Sequence, residues 1–269
     1  MRKALLALFA ALAGAAQAQT PPPALPVLQS EVIRRYKAPE ATQGVAVDAK
    51  HFYAVANSRI AKYDKATGEK VGEWAGERAR FPHINSCEVI GKELVCAASN
   101  YPQVPMSSSV EIFDPGKMVH LRTVSLGQQI GSLTWVDRKD GVWWATFANY
   151  EPRPDGQPGR GEPGRGSVYT QFVQFDDQWR RMQGWSFPET VLERFRPMSS
   201  SGGGWGPDGR LYITGHDHPE LYVLALPAGA RSSTTWPPSR SRSRARPSPS
   251  TRASPGLCSA SADRTAKSW

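Results

Sequence analysis

His216-Asp217-His218 sets two imidazoles on alternate positions, and alternate residues of a strand point the same way, so the triplet resembles part of a zinc site. A catalytic zinc centre needs a third protein ligand, and no companion His/Glu motif supplies one; His83 adds a ligand only if the fold brings it close. Scattered carboxylates form no recognisable calcium loop, so neither a metal nor another cofactor is expected. Acid/base chemistry is the other option. A glycosidase needs two carboxyl groups about 5 to 10 Å apart, for which Glu151 and Asp217 are the candidates. A lactonase or cycloisomerase instead needs an imidazole such as His83 or His216, with Arg59 to hold a carboxylate. None of these patterns is diagnostic, and whether the chain is an enzyme is left open.

The elements that must position these residues repeat along the chain. Gly44–Asp48, His51–Asn57, Arg59–Asp64 and Glu69–Trp74 read as four short strands joined by tight turns. The pattern recurs as Asn85–Ile90, Glu93–Asn100, Ser109–Asp114 and His120–Leu126. It recurs again as Ser132–Asp137, Val142–Asn149, Val168–Phe175 and Arg181–Phe187. A fourth copy begins at Gly204–Asp208, continues with Leu211–His216 and Glu220–Leu226, and then stops. Four-strand units at this period predict an all-β chain, a β-propeller, because one thin blade cannot bury its own faces. Ser30–Tyr36 reads as an orphan outer strand that completes a last sheet, which makes five blades with the fifth incomplete in this chain.

Blade geometry turns this repeat into a site expectation. The first strand of a blade runs away from one face and the second returns to it, so second-strand ends and first-strand starts share a mouth. Asn57, Asn100, Asn149 and His216 hold the same place, at spacings of 43, 49 and 67, followed by Arg59, Tyr101, Tyr150, Glu151, Asp217 and His218. The first-strand starts present Gln43, His83, Asn85, Ser132 and Ser199–Ser201. The Pro/Gly-rich insertion Glu151–Gly166 springs from the same face. The expected ligand set is therefore Gln43, Asn57, Arg59, Asn85, Asn100, Tyr101, Asn149, Tyr150, His216 and His218. The ordinary alternative is that Asn, Asp and His here satisfy turn backbones. Trp135, Trp143, Trp144, Trp185 and Trp205 read as packing between blades rather than as sugar platforms.

Cys87 and Cys96 flank a hairpin whose two-residue turn, Gly91-Lys92, pairs Ile90 with Glu93. Counting outward, Cys87 faces Cys96, where either a cross-strand disulfide or two buried thiols fits.

The chain has 269 residues with 24 Gly and 23 Pro, a turn-rich composition that excludes a coiled coil. Its +9 charge looks like a nucleic-acid signal until it is divided by segment. Arg2, Lys3 and the eight basic residues of 231–269, offset by Asp263, account for all of it, and residues 19–230 are neutral. No nucleic-acid partner is expected. Met1–Ala18 has a charged start, an apolar run Ala4–Ala13 and the small-x-small site Ala16-Gln17-Ala18, the pattern of a secretory signal peptide. A periplasmic or secreted protein with no membrane span after cleavage is expected, bound to a small polar molecule or another exported protein. Residues 19–29 form a Pro-rich linker, and 30–230 the propeller. Residues 231–269 are an irregular Ser/Arg/Pro tail, for which native disorder and a basic nucleic-acid arm are ordinary readings. A one-base slip of the reading frame near Arg231 is the reading preferred here. It turns most Ser codons into apolar ones and supplies the missing strands.

TGEKVGEW, the terminal signal peptide and SGGGWGPDGRLYITGHDHPELYVLALP resemble the exported YVTN and quinoprotein-like propeller superfamily. They are especially similar to bacterial propellers of unsettled role, some labelled cycloisomerase. The resemblance covers about residues 30 to 230 and implies the fold more than a function, because propellers host binding, lactonase, glycosidase and redox roles alike. No complete quinone-binding constellation is visible.

Overall fold

The computed structural model describes residues 31–128, 130–152 and 161–226. Four antiparallel sheets follow one another along the chain, and in each the strands pair in sequence order. The first contains β1 (Gly44–Val47), β2 (His51–Ala56), β3 (Arg59–Asp64) and β4 (Lys70–Ala75). The second contains β5 (His83–Ile90), β6 (Glu93–Ser99), β7 (Ser108–Asp114) and β8 (Val119–Gly127). The third contains β9 (Ser132–Lys139), β10 (Val142–Ala148), β11 (Gln171–Phe175) and β12 (Arg181–Ser186). The fourth has three strands, β13 (Ser200–Trp205), β14 (Leu211–Gly215) and β15 (Leu221–Leu224).

Period-2 alternation explains why these sheets stack face to face. On β6, Leu94, Cys96 and Ala98 point into a cluster with Tyr53, Val55 and Ile60 of blade one. Val95 and Ala97, the alternate residues, join Leu133, Val136, Ala145 and Phe147 of blade three. Trp135, Trp144, Phe172 and Trp185 of blade three meet Trp205, Leu211 and Ile213 of blade four in a third cluster. Every blade therefore shares its core with its neighbour, and four of the five tryptophans singled out by sequence fill one inter-blade layer. Trp143 lies in the adjoining layer, stacked 4.5 Å from Trp179.

Inner strands crowd at the centre, which requires small residues there. A Cβ on Gly44 would lie 2.9 Å from the carbonyl oxygen of Asn85, and one on Gly203 would lie 2.7 Å from the Trp135 ring. Polar ties add register between blades. Asp137 accepts the Trp205 backbone N–H at 2.8 Å, joining blade three to blade four. Ser86 Oγ donates to the Thr134 carbonyl at 2.7 Å, joining blade two to blade three.

Several boundaries differ from the sequence expectation. The third strand of blade three begins at Gln171 rather than Val168, because Ser167–Tyr169 form a 3-10 turn. The first strand of blade four begins at Ser200 rather than Gly204. The connector between these blades holds a helix, α1 (Glu189–Phe195), whose Val191, Leu192 and Phe195 are buried in the blade-three/four cluster. Glu31–Tyr36 is not a strand. It is extended chain fastened to blade one, with Arg34 donating to the carbonyls of Lys65 and Ala66 at 2.8 Å each. Side-chain anchoring to blade one takes the place of the expected pairing. Residues 1–30, Gln129, most of the insertion (153–160) and 227–269 lie outside the described residues. The signal peptide, the linker, the tail with its frame reading and any fifth blade fall there.

The Gly91-Lys92 turn pairs Ile90 with Glu93, and Cys87 stands opposite Cys96 with Cα atoms 3.9 Å apart and their sulfurs bonded. A bulge between Ile84 and Cys87, not foreseen from the pattern, re-aims Asn85 and Ser86 toward blade three.

Candidate functional site

The strand directions place residues from three blades at one mouth. His83 opens β5, Tyr101 follows the end of β6, Tyr150 follows β10 and His216 follows β14. Their rings form a continuous chain. His83 and Tyr101 have centroids 5.1 Å apart, Tyr101 and Tyr150 5.0 Å, and Tyr150 and His216 5.9 Å in an edge-on arrangement. Tyr150, in the middle, is buried, whereas Tyr101 and His216 at either side are half-buried and retain solvent contact. Tyr150 also joins Met106 and Ala148 in a small buried apolar cluster, against which Tyr101 and Met198 pack.

Each imidazole is held in a defined state. His83 Nδ1–H donates to Asn57 Oδ1 at 2.7 Å, across the joint between blades one and two. Burial pushes the His83 pKa down to about 4, opposed by a hydrogen bond with Asn85 and helped by the nearby His216 ring. His216 Nδ1–H donates to the Ser199 carbonyl at 2.8 Å. Because a carbonyl can only accept, this bond fixes the tautomer and leaves Nε2 with the lone pair. Burial also holds His216 below the ordinary imidazole range, against the opposing effects of Ser199 and Asp217. Both rings are therefore neutral at neutral pH. Burial raises the Tyr150 phenol above its usual range, so it too is uncharged.

A buried polar network supports these rings. Asn85 Nδ2 donates to the Leu133 carbonyl at 2.6 Å, and Ser132 Oγ donates to Ser99 Oγ at 2.8 Å. Thr170 and Ser199 share a 2.6 Å hydroxyl contact beside His216.

Other expected site residues are committed elsewhere. Asn100 accepts the Ser107 backbone N–H at 2.8 Å and donates to the Pro105 carbonyl at 3.1 Å, which folds the loop carrying Tyr101. Asn149 donates to the carbonyls of Ile130 and Tyr169 at 2.6 and 3.0 Å. These two side chains satisfy turn backbones and act on the mouth only through the loops they hold. Arg59 pairs with Glu73 on β4, the outermost strand, and is turned to the blade rim. Gln43 precedes β1, where its backbone N–H bonds to Val55, and its side chain joins none of the ring contacts described here. His218 sits in a bend, because β14 ends at Gly215; the strand alternation that aligned it with His216 does not apply. Among the described residues no group of three or more His, Cys, Asp or Glu side chains is placed to hold a metal.

The paired carboxylates are likewise engaged. Glu151 accepts Ser167 N–H at 3.0 Å and Ser167 Oγ–H at 2.7 Å, and meets Arg196 at 3.4 Å. Asp217 accepts the Met198 backbone N–H at 3.1 Å. Glu162, unnoticed in the sequence, accepts the Met106 N–H at 2.9 Å and so brings the insertion from blade three onto the blade-two loop. Tyr150 is the residue whose weight the sequence did not show. Its signal was an aromatic repeated directly after the second-strand asparagine, as Asn100-Tyr101 and Asn149-Tyr150.

Four successive sheet meanders sharing cores blade to blade, with polar ends gathered at one mouth, define a β-propeller. No family model matches the sequence, and no curated protein matches it. Solved structures with a similar arrangement include Kuenenia stuttgartiensis hydrazine synthase, at 14% identity over 69% of this chain and 51% of that one, with a TM-score of 0.41. The mitotic checkpoint complex is similar at 12% identity over 82% and 58%, with a TM-score of 0.42. The β-propeller domain of Myceliophteria thermophila Cps50 (Swd1) is similar at 8% identity over 71% and 54%, with a TM-score of 0.41. The chain spans little more than half the length of these structures. The fold assignment rests on the sheets themselves.

Proposed function

We propose that this chain is an exported propeller that binds a small polar ligand at the mouth built by His83, Tyr101, Tyr150 and His216. The observation that carries the reading is the unbroken run of four rings across blades two, three and four, with neutral imidazoles at both ends. Such a surface joins apolar ring faces to a few oriented polar atoms, the usual composition of a ligand site. The Arg2-to-Ala18 pattern supports export to the periplasm or medium, and the Cys87–Cys96 bond suits an oxidising compartment. The four-strand repeat and the unpaired edges that an open ring would leave support a fifth blade.

A second reading is favoured by one atom. His216 Nε2 is an unprotonated nitrogen on a ring locked by Ser199, the state a general base requires. A lactonase or cycloisomerase would use it there. Both readings are tested by titrating the purified protein with lactones, muconate and glycosides, with and without chelator, while following binding and turnover. Binding without turnover, abolished in His216→Ala, supports the ligand-binding reading. Turnover lost in the same variant moves the assignment to the enzyme. No response to any compound, with His216→Ala indistinguishable from the native protein, would reject the mouth as a site.

A further inference from the structure

We infer that the mouth selects an uncharged polyhydroxyl compound of sugar type, an inference that rests on the mouth being a ligand site. The first argument is hydrogen-bond polarity. His216 Nε2 carries a lone pair because Nδ1–H is spent on Ser199, so the group that meets it must be a donor. A hydroxyl fits; a carboxylate, which only accepts, does not. The second argument is charge. The charged side chains beside the mouth are already engaged, Glu151 with Ser167 and Arg196, and Asp217 with the Met198 backbone N–H. A charged ligand seated against His83, Tyr101, Tyr150 and His216 would lose hydration without gaining a counter-ion.

An aromatic surface completes the argument. Tyr101 is half-buried beside the buried Tyr150 and tilted 53° from it, so its ring is the apolar platform open to the C–H face of a pyranose.

Isothermal titration of the full chain with glucose, galactose and maltose, beside glucuronate and glucosamine, tests the inference. Neutral sugars are expected to bind, with glucuronate and glucosamine weaker by about tenfold or more, the scale of one unmatched hydrogen bond or charge. His216→Phe keeps a ring but removes the acceptor, and a similar loss of neutral-sugar affinity is expected. Tyr101→Ala, at a half-buried loop position, removes the platform while leaving the buried Tyr150 in place, and is a second variant independent of any folding defect in the first. Tighter binding of glucuronate or glucosamine, or neutral-sugar binding unchanged in both variants, overturns the inference. So does failure of all three neutral sugars to bind. If a lactone or muconate then binds and His216→Ala abolishes it, the mouth survives as a site and the sugar class alone falls.

Discussion

His83 shows how burial converts a surface chemistry into a structural dependence on pH. Its ring is lodged between Asn57 and Asn85, and desolvation holds its pKa near 4, whereas the unfolded chain titrates near 6.5. Between those values the unfolded state binds the extra proton. Stability from this residue is therefore complete above about pH 6.5 and is lost as pH falls toward 4, by on the order of 3 kcal/mol at the limit. His216 acts in the same direction. Urea denaturation at pH 7.5 and 4.5 should show a larger loss for the native chain than for His83→Gln, which retains a polar group but cannot titrate. Equal losses in both proteins would remove His83 from the account. The place of His83 was legible from strand direction, because second-strand ends and first-strand starts must share a face. Its partner was not, since Asn57 belongs to a neighbouring blade and no local pattern records which side chain reaches across. Asn57, Asn100 and Asn149 looked equivalent at their repeat spacing, yet only Asn57 orients a ring of the mouth, while the other two hold loops.

Strand alternation carried most of the element-scale reading. On β6 every second residue turns to blade one and the others to blade three, and the two-residue turn at Gly91-Lys92 fixes the register from which the Cys87–Cys96 pairing is counted outward. Helix α1 was passed over as a connector, although Val191, Leu192 and Phe195 already mark one face of a helix. Its short length gave periodicity little room, and its burial depends on Phe187 and Tyr222 rings that only the fold brings near. Gly203 tests how tightly the inner strands are packed. A methyl group there must displace either the Trp135 indole or Ile213, whose Cγ2 is 2.9 Å from the ideal Cβ. Gly203→Ala should therefore destabilise the chain by about 1 to 3 kcal/mol despite the better strand propensity of alanine. Chemical denaturation monitored by tryptophan fluorescence reads this directly. A variant as stable as the native protein would show that the blade-three/four layer has slack.

An apolar sheet face must be covered, and the face of blade one turned away from blade two shows how this chain does so among the described residues. Phe52, Ala54, Ala61 and Tyr63 form its far face, and Tyr36, Ala38 and Ala41 of the preceding segment pack across them. The cover is tied at several points. The Tyr36 ring lies 4.7 Å from Phe52 at a tilt of 46° and its hydroxyl donates to the Lys65 carbonyl at 2.8 Å, while Glu40 accepts the Tyr63 hydroxyl at 2.5 Å. The sequence suggested that Glu31–Tyr36 closes a ring by strand pairing; the aromatic at its end instead closes a sheet face by burial. Two substitutions separate these roles. Tyr36→Phe keeps the ring and loses one hydrogen bond, for an expected cost of about 1 kcal/mol. Tyr36→Ala also uncovers Phe52, and should cost about 2 to 4 kcal/mol and increase light scattering on heating, because an exposed apolar sheet face invites association. Thermal unfolding with scattering detection measures both effects. If Tyr36→Ala melted and scattered like Tyr36→Phe, the segment would be resting on blade one without protecting it, and its part in covering that face would have to be abandoned.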